Sequence, residues 1–185
     1  MIIVGVDEAG RGPLVGSVLA GAVILPVNFD LPELTDSKKL SEKKRENLYQ
    51  LITQQCQWAV GEASPQEIDE INILQATMLA MKRAVDNLNC QYDRVLVDGN
   101  RCPDLPDCTA IIKGDLTQPV ISAASIIAKV TRDRQMIELD RQYPEYGFAR
   151  HKGYGTKAHL AALKIHGAIA QQHRFSFSPI SRLID

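Results

Sequence analysis

A chain of 185 residues, 45% hydrophobic and 23% charged, has the length and composition of one soluble globular domain with a substantial core. Its formal net charge of -1 excludes a global basic field, so any polyanion site must come from local clusters of Lys and Arg. The N-terminus lacks the pattern of a secretory leader, and the longest nearly apolar stretch, residues 15–26, is too short and glycine-broken to span a bilayer. A cytoplasmic protein with no membrane partner is expected.

Residues 2–7 read as a fully buried strand, too uniformly apolar to be half exposed. It ends in Asp7 and Glu8, followed at once by Gly10-Arg11-Gly12-Pro13. Residues 15–25 form a second strand, with Gly21 allowing a bulge or a close approach. Ser41 is placed to cap a helix whose apolar stripe is Leu40, Leu48, Leu51 and Ile52. Residues 57–62 suit a strand. Ser64, Pro65 and Glu67 then stand as cap, N1 and N3 of a helix. Ile73, Leu74, Met78, Met81, Val85 and Leu88 mark a strong helix after it. Residues 94–100 form a buried strand ending in Asp98, and residues 108–115 another ending in Asp115. A long helix from Pro119 to about Tyr143 carries Ala123, Ala124 and Ala128, small enough to pack closely on a sheet. Residues 151–156 are a glycine-rich loop, Thr156 caps a last helix, and the end of the chain reads as irregular. Strands first, then strands alternating with helices, indicate an α/β fold with a mixed sheet.

Three apolar strands thus end in acid. Each alone is ordinary, because strands end at the surface. Together, on parallel strands, they would converge where α/β sheets bind ligands. Gathered carboxylates raise one another's pKa unless a proton is shared or a cation intervenes. Oxygen ligands without His or Cys suit Mg²⁺ or Mn²⁺, and four negative charges would balance two such ions, the stoichiometry of two-metal phosphoryl transfer. Neighbours on a strand face opposite ways, so a bend directly after Val6 is expected if Asp7 and Glu8 are to act together. Asp133 reads as an ion-pair partner of Lys129 one turn away; Asp69, Glu70 and Asp140 read as solvated helix faces.

Lys and Arg cluster at residues 38–45, at Lys129, Arg132 and Arg134, and at Lys152 and Lys157. Each cluster suits a solvated surface, or beside metals a track for a phosphate backbone. Tyr154, between two glycines, is either a packing tyrosine or a ring that meets a sugar or base. Asn72 and Gln75 are a cap and a surface amide, or nucleic-acid contacts. Cys56, Cys90, Cys102 and Cys108 form no Cys-x-x-Cys pair and are expected to be reduced.

The stretches VDEAGRGPLVG, LTDSKKLSEKKRE, VDGN, KGD, SAASIIAKVTRDR, YGFARHKGYGT and HRFSFSP cover nearly the whole chain in order. Together they resemble the ribonuclease HII family. The resemblance implies an RNase H-like fold, a five-stranded mixed sheet flanked by helices, with a small helical C-terminal part over about residues 150–185 of a single domain. It implies Mg²⁺- or Mn²⁺-dependent endonucleolytic cleavage of RNA in RNA–DNA hybrids and at ribonucleotides embedded in duplex DNA, by a monomer, leaving 5′-phosphate and 3′-hydroxyl ends. Asp7, Glu8, Asp98 and Asp115 match the family's metal-binding acids. Gly10, Arg11, Gly12 and Tyr154 match its ribonucleotide-reading elements; Lys38, Lys39, Ser125 and Lys129 fall in its substrate-facing motifs. Departures are Leu116, Pro119 and Phe175, and a chain that stops soon after SFSP, so that sliding-clamp binding is not expected. The residues read without the resemblance leave open another nuclease or phosphotransferase of this fold, or a non-catalytic hybrid-binding module.

Overall fold

A computed structural model of the chain describes residues 1–34 and 39–183. Its strands are β1 (Ile3–Ala9), β2 (Val18–Ile24), β3 (Gln57–Ala63), β4 (Arg94–Asp98) and β5 (Cys108–Ile111). They form one five-stranded mixed sheet in the order β3-β2-β1-β4-β5. The β1–β2 and β2–β3 pairs are antiparallel, whereas β1–β4 and β4–β5 are parallel. β1 lies in the middle, flanked on both edges and covered on both faces, which explains its unbroken apolar run.

The helices are α1 (Glu42–Gln55), α2 (Pro65–Asn87), α3 (Gly114–Thr117), α4 (Pro119–Gln142), α5 (Phe148–His151), α6 (Lys157–His166) and α7 (Ser178–Ser181). On one face of the sheet, Val4, Val6, Val95 and Val97 pack with Ala76, Ala80, Met81 and Ala84 of α2. On the other, Val23 packs with Ala123, Ala124 and Ile127 of α4 and with Leu48 and Ile52 of α1. Small residues let α4 lie close: a Cβ at Gly5 or Gly21 would run into the α4 main chain at Val120 or Ala124. Ala123, Ala124 and Ala128 are fully buried, as their size suggested.

A third cluster joins the far half of α4 to the C-terminal part through Met136, Leu139, Phe148, Leu163 and Ile180, with Leu14 and Val15 from the β1–β2 connection. Asp69 fixes this C-terminal stretch. Expected on a solvated face, it instead accepts the N–H groups of Phe175 and Ser176 at 3.0 and 2.9 Å and the Ser176 hydroxyl at 2.6 Å. Asp140 likewise accepts the Ala149 N–H at 3.2 Å. Both satisfy main-chain donors outside their own helices, those of Asp69 more than 100 residues away, which local pattern does not show.

The helix starts read from the sequence hold. Ser41 and Thr156 accept the N–H groups of Lys44 and His159, and Ser64 with Glu67 forms a reciprocal capping box. Four expectations change. β2 begins at Val18 rather than at residue 15, and Val15 makes a single bridge with His173. β5 ends at Ile111; Lys113 turns left-handed (φ 56°), and Asp115 sits in α3 rather than at a strand end. The C-terminal stretch contains the short helix α7. Cys102 and Cys108 are joined by a disulfide, because the connection from β4 doubles back and brings their Cα atoms to 6.1 Å; Cys56 and Cys90 are free. No helix among the described residues is long and apolar enough to cross a membrane.

Candidate active site

The parallel ladder between β1 and β4 runs from Ile3–Arg94 to Val6–Val97. Asp7 and Asp98 are the next residues on the two strands, so their side chains emerge together at the carboxyl ends. β1 does not bend after Val6. It continues along β2 with Asp7 opposite Gly21 and Glu8 opposite Ala20, and turns only at Gly10 (φ 89°). Val4 and Val6 face α2, so by alternation Asp7 faces α4 and Glu8 the opposite side. What lets both take part is the ragged edge of the sheet: β4 stops at Asp98, leaving a notch beside the end of β1. One carboxylate oxygen each from Asp7, Glu8 and Asp98 lies within 4.8 Å of the others.

This triad is electrically strained. Asp7 is 6% exposed, and burial, followed by the charge of Glu8, holds its pKa well above the ordinary carboxylate value. Asp98 is also raised, by burial first and then by Asp115 and Glu8, against main-chain hydrogen bonds that lower it. One compensation is local: the Glu8 N–H donates to Asp7 Oδ1 at 2.8 Å. Glu8 Oε2 is buried with no hydrogen-bond partner among the described residues. An orphaned carboxylate oxygen in an all-oxygen donor set fits a hard divalent cation, which Asp7, Glu8 and Asp98 would hold. Asp115 is the fourth expected acid. It stands outside the mutual 4.8 Å group but lines the same cavity, and its N–H donates to Asp98 Oδ1 at 3.2 Å. Pro119 opens α4 just beyond it, and Ser122 donates its hydroxyl to the Asp115 carbonyl. That hydroxyl and the helix start fix the loop.

A cavity of about 380 Å³ runs from Asp7, Glu8 and Asp115 along Gly10-Arg11-Gly12 to Tyr154, with Ser125, Lys129 and Asp133 of α4 on its wall. Tyr154 is 48% exposed, and its ring edge is the nearest group to Gly12. Lys129 pairs with Asp133 at 3.7 Å, as their helical spacing suggested. Ser125 donates to the Ser122 carbonyl at 2.7 Å.

Two buried arginines organise the loops. The Arg174 guanidinium donates to the carbonyls of Gly10, Arg11, Pro13 and Gly16 at 2.6–3.0 Å. With these carbonyls drawn inward, the residue 10–12 backbone is anchored from behind. Arg132 donates to the carbonyls of Val15 and Lys152 at 3.0 and 2.8 Å, joining this loop to the one carrying Tyr154. Its Nε and Cδ occupy the space a Cβ at Gly10 would need, so residue 10 must be glycine on two counts, conformation and room. Arg132 is therefore a buried clamp (3% exposed) rather than part of a surface cation track. Arg134 pairs with Glu46. Arg174 carried no signal in the sequence beyond its place in HRFSFSP, because its partners lie some 160 residues away.

Other expected site residues are not gathered here. Asn72 breaks the helical backbone of α2 (φ 73°), and its side chain caps the next turn by accepting the Gln75 N–H at 3.0 Å. It lines a separate groove with Asp69 and Ser176, and Gln75 lines another. The cap is formed, and neither amide lines the cavity that holds the acids. Lys39 is exposed and does not line the cavity; Lys38 lies outside the described residues.

The family model described as ribonuclease HII matches residues 4–180. A ribonuclease HII of Polynucleobacter necessarius is 59% identical over 99% of this chain and 95% of its own length. One from Vibrio parahaemolyticus is 59% identical over 99% of this chain and 87% of its own. The crystal structure of the ribonuclease H2 from Pyrococcus horikoshii superposes with a TM-score of 0.81 at 26% identity, covering 99% of this chain and 97% of that one.

Proposed function

The chain belongs to the ribonuclease HII family and is an endoribonuclease; from that premise we propose that it cuts the RNA strand of RNA–DNA hybrids and incises duplex DNA at embedded ribonucleotides. The products carry 5′-phosphate and 3′-hydroxyl ends, and the active form is a monomer. The observation that carries this reading is the continuity of one cavity. It joins the strained carboxylates to a glycine backbone and an exposed tyrosine.

Each part has a physical task. The 2′-hydroxyl is what separates RNA from DNA at a given site. The residue 10–12 backbone can approach it closely because Gly10 and Gly12 lack side chains, and Arg174 keeps that backbone from yielding. Tyr154 offers a ring and a hydroxyl to the same sugar across the cavity. Lys129 and Arg45 supply positive charge at the rim for the phosphates on either side. Asp7, Glu8 and Asp98, with Asp115 beside them, would hold Mg²⁺ or Mn²⁺. The chemistry such a divalent pair supplies when bound is activation of a water and neutralisation of charge on the departing 3′-oxygen. No histidine among the described residues lines the cavity, and the proposed reaction assigns no imidazole as general base.

The test is a DNA duplex containing one ribonucleotide, incubated with Mg²⁺ or Mn²⁺ and end-mapped. Incision beside the ribonucleotide, with 5′-phosphate and 3′-hydroxyl termini, is expected. The all-DNA duplex should bind but remain uncut. Equal cutting of the two duplexes would refute the role given to the 2′-hydroxyl.

A further inference from the structure

The loop bearing Tyr154 is gripped by two of the chain's four histidines and backed by a third, none of which lines the cavity. The rings of His151 and His159 are stacked, 4.5 Å between centroids and 11° from parallel. Each holds one side of the loop. The Gly153 N–H donates to His151 Nδ1 at 3.1 Å, and His159 Nδ1 lies 2.9 Å from the Tyr154 carbonyl oxygen. Behind them, His159 Nε2 is 3.0 Å from His173 Nε2, and the Ile169 N–H donates to His173 Nδ1 at 2.9 Å.

These partners place every ring proton. A main-chain N–H can only donate, so His173 Nδ1 is an acceptor and its proton is on Nε2. His173 Nε2–H therefore donates to His159 Nε2. The His159 proton is then on Nδ1, where it donates to the Tyr154 carbonyl, which can only accept. By the same logic the His151 proton is on Nε2 and donates to the Tyr146 carbonyl at 2.7 Å. The result is a directional chain from Ile169 through two neutral imidazoles to the peptide group of Tyr154. A second proton on His159 or His173 would set N–H against N–H, and both rings are at most 1% exposed. The same loop is tied to the residue 10–16 connection, since Leu14 N–H donates to the Gly153 carbonyl at 2.8 Å.

We propose that His159, oriented by His173, is a positioning residue for ribonucleotide selection: its Nδ1–H sets the peptide plane of Tyr154 and so where the phenol stands over Gly12. This rests on the reading of Tyr154 as facing the ribonucleotide. The Tyr154 carbonyl also accepts the Thr156 N–H at 2.8 Å, and the Tyr154 N–H donates to the His151 carbonyl at 3.1 Å; the imidazole adds a side-chain tie that a merely volume-filling residue would lack. Because neither imidazole lines the cavity, the effect is expected on turnover rather than on substrate capture.

The experiment combines spectroscopy and kinetics. In the ¹⁵N-labelled protein at neutral pH, long-range proton–nitrogen spectra should show His159 as the neutral Nδ1–H tautomer, and His151 and His173 as Nε2–H. An Nε2–H or doubly protonated His159 overturns the proposal without any variant having to fold. On a duplex with one ribonucleotide, His159→Leu should lower kcat about three- to tenfold with KM unchanged, the scale of one lost hydrogen bond. His159→Asn, whose amide N–H falls near the Nδ1 position, should restore kcat to within about twofold. In a Tyr154→Ala background, His159→Leu should have no further effect; effects that simply multiply overturn the proposal. A Tyr154→Ala enzyme with wild-type kinetics would instead sink the reading of Tyr154 itself, and the proposal with it.

Discussion

Asp7 sets the terms at the scale of single residues. It is a buried acid whose nearest charged neighbours are other acids, so without a cation it opposes folding. Its raised pKa means that the native state binds its proton more tightly than the unfolded chain does. The stability it contributes is present at low pH and is lost as pH rises through the folded value. At neutral pH in chelator, Asp7→Asn should therefore raise Tm, while Mg²⁺ stabilises the wild type more than the variant. In the same variant, cleavage should fall by more than about a hundredfold while hybrid binding persists, since even outer partners of metal ligands cost 10–100-fold. Thermal melts with and without Mg²⁺, and single-turnover cleavage, check both halves. A wild-type rate in the variant would remove Asp7 from the site. The acids were legible in the sequence because three apolar runs read as strands end in acid, a coincidence that no single strand end would signal. Arg174 was not, since nothing local distinguishes a buried clamp from a surface cation.

The decisive step at the element scale is the parallel pairing of β1 with β4, which sets Asp7 beside Asp98 across 91 residues of chain. Local signals specify elements well where the relevant hydrogen bonds are short-range. The capping box of α2 is one such case: Ser64 and Glu67 exchange hydrogen bonds of 3.1 Å, and Arg83 adds a bidentate pair on Glu67 at 2.8 and 2.7 Å. Arg83 and the capping hydrogen bonds bring the Glu67 pKa down to about 2. This contribution is full above the ordinary value of 4.5 and is lost as pH falls toward 2. Ser64→Ala should destabilise the protein by about 1 kcal/mol in urea unfolding at neutral pH. Local signals fail where a segment is set by what it packs against. Asp115 lies on α3 rather than on β5 because a left-handed Lys113 ends the strand early. The bend expected after Val6 is absent because β2 continues to pair with β1 through Ala9.

The C-terminal part and α4 together hold the loops at residues 10–16 and 152–154 from behind when the molecule is viewed whole. Arg174, Arg132 and the histidine chain all donate into main-chain carbonyls of residues 10–16 and 152–154. The stability of this arrangement should depend on pH through His173, which faces His159, Tyr146 and Phe148. Burial, followed by the neighbouring His159, lowers its pKa to about 3. The unfolded chain takes up the proton below 6.5 and the native state does not, so stability is full above 6.5 and falls as pH drops toward 3. The slope is about 1.4 kcal/mol per pH unit for each such proton. His173→Asn should flatten the slope between pH 6 and about 4 in denaturant titrations. An unchanged slope would mean that His173 is already charged in the native protein.

The sequence by itself determined most of the elements, the α/β class, the family and the acids that gather at the carboxyl ends of β1 and β4, because periodicity, caps and buried charge act over a few residues and survive as pattern. Only the tertiary structure decided which groups meet. It stopped the β1–β4 ladder one residue short of the acids, closed the Cys102–Cys108 loop, turned Asn72 into a cap, and aimed two arginines and two imidazoles at the backs of the loops at residues 10–16 and 152–154. Such contacts join main-chain atoms far apart in sequence, and a backbone carbonyl looks the same in every residue until the fold presents it to a donor.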